Sequence, residues 1–400
     1  MPATARPAPW NLLPLPGWRR LRPLCWLAAS VAALAGCAST PPGALPPVPP
    51  ADARFTPASM PISAEEVFAL SPAMRQYLAG SLPRPAQQRQ PAALVQALNT
   101  RGDLRLEYDA TITRTAAQAF EARAGNCLSL VIMTAALARA QGLAVTYNLV
   151  QAEPAYTREG GLLFTSGHVN LTLGRPLRDA GSRYDLQAFL TVDFLPGEDL
   201  LGQKRQPISE AMVLAMFMNN RAAEALAQGR LPEAHAHARE ALRHSPGFEP
   251  ARNTLAVVYL RGGLPAEAEA LLRTVLARAP EHRDALDNLR MALQAQGRSD
   301  EAAAVAARLA AIEPEPPLRS YDRAMAALRQ QDFGAARSLF QREIDRGGCG
   351  APCHHGLAIA WLGLGNPPQA QRALQAARDA SGNSQQRAIY AAKLERFNAR

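Results

Sequence analysis

Apolar and polar positions divide the chain into a front part without repetition and a back part that repeats. From residue 215 to 382, apolar residues recur at helical spacing and the pattern returns every 34 residues. Ala234, Ala268, Ala302, Ala336 and Ala370 mark the period. Pro246, Pro280 and Pro314 keep the same spacing, and Gly229, Gly263, Gly297 and Gly365 each fall five residues before an alanine. Each unit therefore reads as helix, glycine-containing turn, helix, proline. Ala222, Ala256, Ala324 and Ala358 in the first helix let it approach the alanines of the second. Larger residues such as Leu255, Tyr259, Leu272, Leu289, Phe340, Leu357, Trp361 and Leu374 fill the space between units. The pattern departs at Arg290 (a small-residue position), at Gln331 (a glycine position) and at Gly348, where a proline is missing. One unit cannot bury its apolar faces alone; stacking does so, and the end needs a polar cap. Residues 383–400, with "SQQRAIYAAKLERFNAR", are the candidate capping helix.

Residues 59–205 do not repeat. "AEEVFALSPAMRQYLAG" predicts a helix, and the stretch from Pro91 to Arg123 predicts helix, loop and helix. From about Asn126 to Gln141 the chain is apolar on nearly every side, through Leu128, Leu130, Val131, Ile132, Met133 and Leu137, so that helix should be buried. Gly125 and Asn126 suit a tight entry and an N-cap, and Arg139 suits the negative end. "LAVTYNLV", "LLFTSGHVNLTL" and "YDLQAFLTVDFL" then read as three strands of an antiparallel sheet. Helices first and strands after make this part α+β.

The start changes the picture of location. Residues 1–36 combine four arginines (Arg6, Arg19, Arg20, Arg22) and no acid with the apolar run "LCWLAASVAALAG", the pattern of a secretion signal. Leu34-Ala35-Gly36-Cys37 resembles the lipobox of bacterial lipoproteins. That resemblance implies cleavage before Cys37 and lipid on its thiol. Ala38, rather than Asp, after the cysteine implies the outer membrane, facing the periplasm. Proline-rich 37–58 reads as an extended tether that builds no core. The chain's formal charge is +9, falling to about +5 without the signal segment, and it is scattered, so no nucleic-acid partner is expected.

Of five cysteines, Cys25 leaves with the signal and Cys37 carries lipid. Cys349 and Cys353, in "GGCGAPCHH", are close enough to pair as a disulfide across a turn; unpaired thiols or a metal site with His354 and His355 are the alternatives. Adjacent histidines on a helix point in different directions and do not easily share one ion with both cysteines. No metal or other cofactor is expected, since HExxH, paired CxxC and phosphate-binding glycine loops are absent.

Cys127 is left over in an oxidising compartment, either as a packed thiol or as a nucleophile. It stands in the first turn of the buried helix, where free N–H groups and the helix dipole favour a negative charge. His168 in the second strand and Asp193 in the third supply the base and its orienter. "RTAAQAFEARAGNCLSLVIMTAALARAQGLAVTYNLV", "SGHVNLTL" and "TVDF" together resemble the transglutaminase-like domain over roughly residues 100–200. The resemblance implies a papain-like α+β fold and a catalytic triad of Cys127, His168 and Asp193. The family often has His-Ala-Trp where this chain has His168-Val169-Asn170. The Cys127 N–H is the expected oxyanion donor, with Asn126 or Gln118 assisting. The repeats at 215–382 resemble about five tetratricopeptide repeats, an all-α solenoid whose groove would hold an envelope protein or peptide. The expected function is a lipid-anchored cysteine hydrolase acting on peptide or Gln amides. The alternative is a non-enzymatic scaffold carrying an inactive transglutaminase-like module.

Overall fold

The computed structural model describes residues 54–55, 62–81, 91–100, 106–159, 162–174, 189–194, 203–312, 314, 316–347 and 349–398. The expected signal segment 1–36, the lipid site Cys37 and all of the 37–58 tether except Arg54 and Phe55 lie outside the described residues.

Two helices, α1 (Ala64–Val67) and α2 (Pro72–Ser81), stand where one was expected. Pro72 lacks an N–H and restricts the residue before it, so it begins a helix rather than continuing one. Ser71 caps α2, its hydroxyl accepting from the Met74 N–H at 3.2 Å. After α3 (Pro91–Thr100) come β1 (Glu107–Tyr108), α4 (Ala116–Ala122), β2 (Ala124–Gly125) and α5 (Cys127–Ala140). Every residue from Leu128 to Ala138 in α5 is buried, which its all-round apolar surface demands.

Four strands follow: β3 (Ala144–Glu159), β4 (Leu162–Gly174), β5 (Phe189–Val192) and β6 (Arg205–Ile208). They form one antiparallel sheet in the order β5–β4–β3–β6. The fourth strand was not foreseen. Arg205, Gln206 and Pro207 are exposed on an edge strand, so apolar alternation never marked it. In β4, Val169, Leu171 and Leu173 enter the main core, while the alternating His168, Asn170 and Thr172 are bonded into a polar network.

The rest is helical: α6 (Glu210–Ala227), α7 (Leu231–His244), α8 (Glu249–Arg261), α9 (Pro265–Arg278), α10 (Arg283–Ala295), α11 (Ser299–Ile312), α12 (Arg319–Arg329), α13 (Phe333–Asp345), α14 (Ala351–Gly363), α15 (Pro367–Asp379) and α16 (Ser384–Asn398). Consecutive helices pack as antiparallel pairs, and the alanines at the 34-residue period are all buried. Gly229, Gly263, Gly297 and Gly365 close the turns in the left-handed region, with φ of 74°, 74°, 74° and 68°. Gln331 holds the same conformation at φ 59°, where an L side chain is strained. A Cβ at Gly263 would meet nothing within 4 Å, so its cost is backbone strain alone. Gly263→Ala should therefore lower stability by about 1 kcal/mol, and Gln331→Gly should raise it by up to about 1 kcal/mol. Paired thermal melts check both signs.

The tether contributes to the core after all. Phe55 is only 8% exposed. Its ring stacks on His235 of α7 with centroids 4.3 Å apart, and on Tyr259 of α8 at 6.0 Å. Proline-rich chain cannot build a core, but one aromatic within it can be inserted into a core that the repeats provide. Gly262 makes room, since a Cβ there would lie 3.0 Å from the Phe55 ring. Phe55→Ala should cost about 3 kcal/mol, read as a shift of the urea midpoint.

Candidate active site

The first turn of α5 is held from several sides. Asn126 caps it, its Oδ1 accepting from the Ser129 N–H at 2.9 Å and hydroxyl at 2.8 Å, while its Nδ2 donates to Thr113 Oγ1 at 2.9 Å. Thr113 N–H in turn donates to Glu224 of α6 at 2.7 Å. Burial pushes that carboxyl's pKa up, against the opposing pull of Thr113 and Arg221. Gly125 must be glycine, because a Cβ there would lie 2.7 Å from Ser129 Cβ. The first helix of the array thus braces the turn that carries Cys127, the one free cysteine among the described residues.

His168 is buried, and its Nε2 lies 2.8 and 2.9 Å from the two carboxylate oxygens of Asp193. Burial alone would pull the imidazole pKa down. Hydrogen bonding with Asp193 and Cys127, and the charges of both, outweigh it and push the pKa up to about 9. The ring's Nδ1 is buried without a closed hydrogen bond. The thiol contact is therefore looser than the carboxylate contact, as resting nucleophile–base pairs often are before substrate tightens them. Cys127, His168 and Asp193 are brought together, from a helix start, a strand and the end of the next strand.

Both ends of the Asn126 amide are engaged in the fold, and Gln118 spends its Oε1 on the Thr115 N–H at 3.1 Å, closing the capping box of α4. Asn126 is thus committed to the helix cap, whereas the Gln118 contact engages its acceptor oxygen and not its NH2. The Tyr108 hydroxyl lies beside the Cys127 N–H, the remaining expected donor. Burial chiefly, with the nearby charges of Cys127 and Asp109, pushes this phenol up to about 12, so it stays protonated at neutral pH. Parallel pairing of β1 with β2, Tyr108 opposite Gly125, puts it there. The signal for it was weak, since "LRLEYD" contains no strand long enough to recognise.

Next to Tyr108, buried Asp109 binds Thr111 by N–H (3.1 Å) and hydroxyl (2.6 Å), Arg114 at 2.8 Å, and Asn383 Nδ2 at 3.2 Å. Asn383 precedes α16, so the far end of the array touches the segment beside the cysteine. Cys349, just before α14, forms a disulfide with Cys353 in its first turn. Among the described residues no cluster of three or more His, Cys, Asp or Glu is placed to hold a metal ion.

No curated protein matches the chain. Among solved structures, a tetratricopeptide repeat protein from Parabacteroides merdae is 15% identical, covering 46% of this chain and 70% of that one with a TM-score of 0.30. A thermophilic tetratricopeptide repeat protein of Thermus thermophilus is 19% identical over 45% of this chain and 98% of that one, TM-score 0.30. PilF of Pseudomonas aeruginosa is 18% identical over 47% and 94%, TM-score 0.27. Residues 225–293, 288–348 and 351–376 match family models described as Tetratricopeptide repeat. The carboxy-terminal region of this chain is an all-helical tetratricopeptide-repeat solenoid.

Proposed function

We propose that residues 59–205 are a transglutaminase-like cysteine module and that the protein cleaves amides in a protein or peptide selected by its repeats. The observation that carries this reading is the buried His168–Asp193 pair beside a cysteine at the start of a buried helix. His168 takes the thiol proton as Cys127 Sγ attacks the amide carbonyl. The carbonyl electron pair collects on oxygen, then returns as the C–N bond breaks, and the amine leaves with the proton from His168. A thioester to Cys127 remains. Water, deprotonated by His168, attacks it, releasing the acid and restoring the thiol. Hydrolysis is favoured over transfer to an amine. The repeats supply a concave surface of the kind that binds peptides or partner proteins. Lipid on Cys37 would hold the module at the outer membrane facing the periplasm. The paired Cys349 and Cys353 suit that oxidising compartment.

The test is iodoacetamide labelling of the full-length protein in detergent, with the Cys127 peptide followed by mass spectrometry. Labelling at pH 7 should be fast, and His168→Ala should slow it at least about 30-fold, since the base that takes the thiol proton is lost. Slow labelling indifferent to His168 would sink the catalytic reading and favour the scaffold, in which the array alone carries function.

A further inference from the structure

The polar side chains beside the triad form a continuous chain across the sheet. Asn170 stands two residues after His168 on β4, on the same face, and its Nδ2 lies 2.9 Å from Asp193 Oδ2. Directly opposite on β3 is Asn148, in register with Asn170. Its Nδ2 lies 3.0 Å from Asn170 Oδ1 and 3.1 Å from Thr172 Oγ1. Asn148 and Asn170 are 6% and 3% exposed, so these amides have little water to fall back on. Thr172 continues to Thr191 at 3.1 Å, and Arg205 on β6 donates to Thr191 at 3.0 Å.

The direction of this chain is forced. An ionised carboxylate only accepts, so Asn170 must turn its NH2 toward Asp193 and its oxygen toward Asn148. Asn148 must then present its own NH2, which it also donates to Thr172. Had either amide been flipped, two acceptors or two donors would face each other in a buried site.

We infer that Asn170, oriented by Asn148, is a positioning residue that holds the Asp193 carboxylate against His168 Nε2 and so leaves Nδ1 as the nitrogen that exchanges the Cys127 proton. This rests on the triad reading. It also gives the His168-Val169-Asn170 sequence a role of its own: where a tryptophan would shield the site, this chain has an amide that aims the carboxylate. The ionisable groups facing His168 are Asp193 and Cys127, with Tyr108 reaching the Cys127 N–H, so a change at the neutral Asn170 reports on aim rather than on added charge.

The experiment uses the full-length protein with Asn170→Leu, which keeps a side chain branched at the same carbon and removes the donor. Two quantities are read: the pH profile of Cys127 labelling by iodoacetamide, and the titration of the His168 ring by NMR. Labelling at pH 7 should fall about tenfold, the lower end of what a hydrogen bond to a charged group supports. The His168 titration should move to lower pH, because a carboxylate free to pivot no longer balances burial. Asn148→Ser should shift both in the same direction by less, and it carries the test if Asn170→Leu does not fold. An unchanged His168 titration in a folded variant, with only melting affected, overturns the inference while leaving the triad intact. If His168→Ala itself does not slow labelling, the triad reading fails and takes the inference with it.

Discussion

Asp193→Asn is expected to slow alkylation of Cys127 at pH 7 about 1,000-fold, with the fold intact. The isosteric amide fills the same space, but it no longer supplies the charge that offsets the burial of His168. The imidazole is then a weaker base, and the thiol gives up its proton to it less readily. The same pair predicts a pH dependence of stability. His168 titrates near 9 in the folded protein against an ordinary value of 6.5. Because the folded value is raised, the associated stabilisation is fully present below pH 6.5 and is lost as pH rises through 9. Its size is up to about 3 kcal/mol. Wild-type protein should therefore lose its advantage over Asp193→Asn in thermal melts between pH 6 and pH 9.5. A constant difference across that range would show that the carboxylate serves shape and not charge.

How much of this could be read beforehand follows from what each feature leaves in a sequence. A repeat writes itself several times, so Ala234 through Ala370 and the turn glycines located the helix pairs without any structure. The buried helix α5 was legible because its apolar residues occupy every face, and its start was legible because Gly125-Asn126 marks an entry and a cap. His168 and Asp193 stood out as ionisable residues within apolar strands. What escaped depends on single side chains meeting across long separations. Phe55 looks like an ordinary residue of a proline-rich segment until His235 and Tyr259 are folded around it. Asn148 and Asn170 are unremarkable until antiparallel pairing sets them opposite each other. The edge strand β6 is polar, and polar edges carry no alternation to detect. The break at Pro72 is written in the sequence, since a proline there ends one helix and starts the next despite helical composition on either side.

Asp109→Ala should cost about 4 kcal/mol, as expected when one partner of a buried ionic cluster is removed and the rest stay behind. Arg114 would lose its carboxylate, and the Thr111 N–H and the Asn383 amide would lose their acceptor in a site with little water. The wild-type carboxyl reflects these bonds. Burial pushes its pKa up, but the Thr111 hydroxyl and N–H, Arg114 and Asn383 together hold it below the ordinary value of 3.8. A depressed folded pKa means that its contribution is present above the ordinary value and is lost as pH falls through the folded one, so the wild type should be the more acid-sensitive of the two. Asn383→Ala separates the two halves of the cluster. It leaves Arg114 and Thr111 in place and removes only the link from α16, so it should cost about 1 kcal/mol. The informative comparison is the rate of Cys127 labelling in the two variants. Tyr108 lies between Asp109 and the Cys127 N–H, and Glu107 pairs with Arg387 of α16 at 3.6 Å. If the end of the array helps to seat β1 against the cysteine, Asn383→Ala will alter labelling by more than its small cost in stability accounts for. If labelling is unchanged, the contact only closes the solenoid onto its neighbour, and any effect of a bound partner on Cys127 must enter through α6, Glu224 and Thr113 instead.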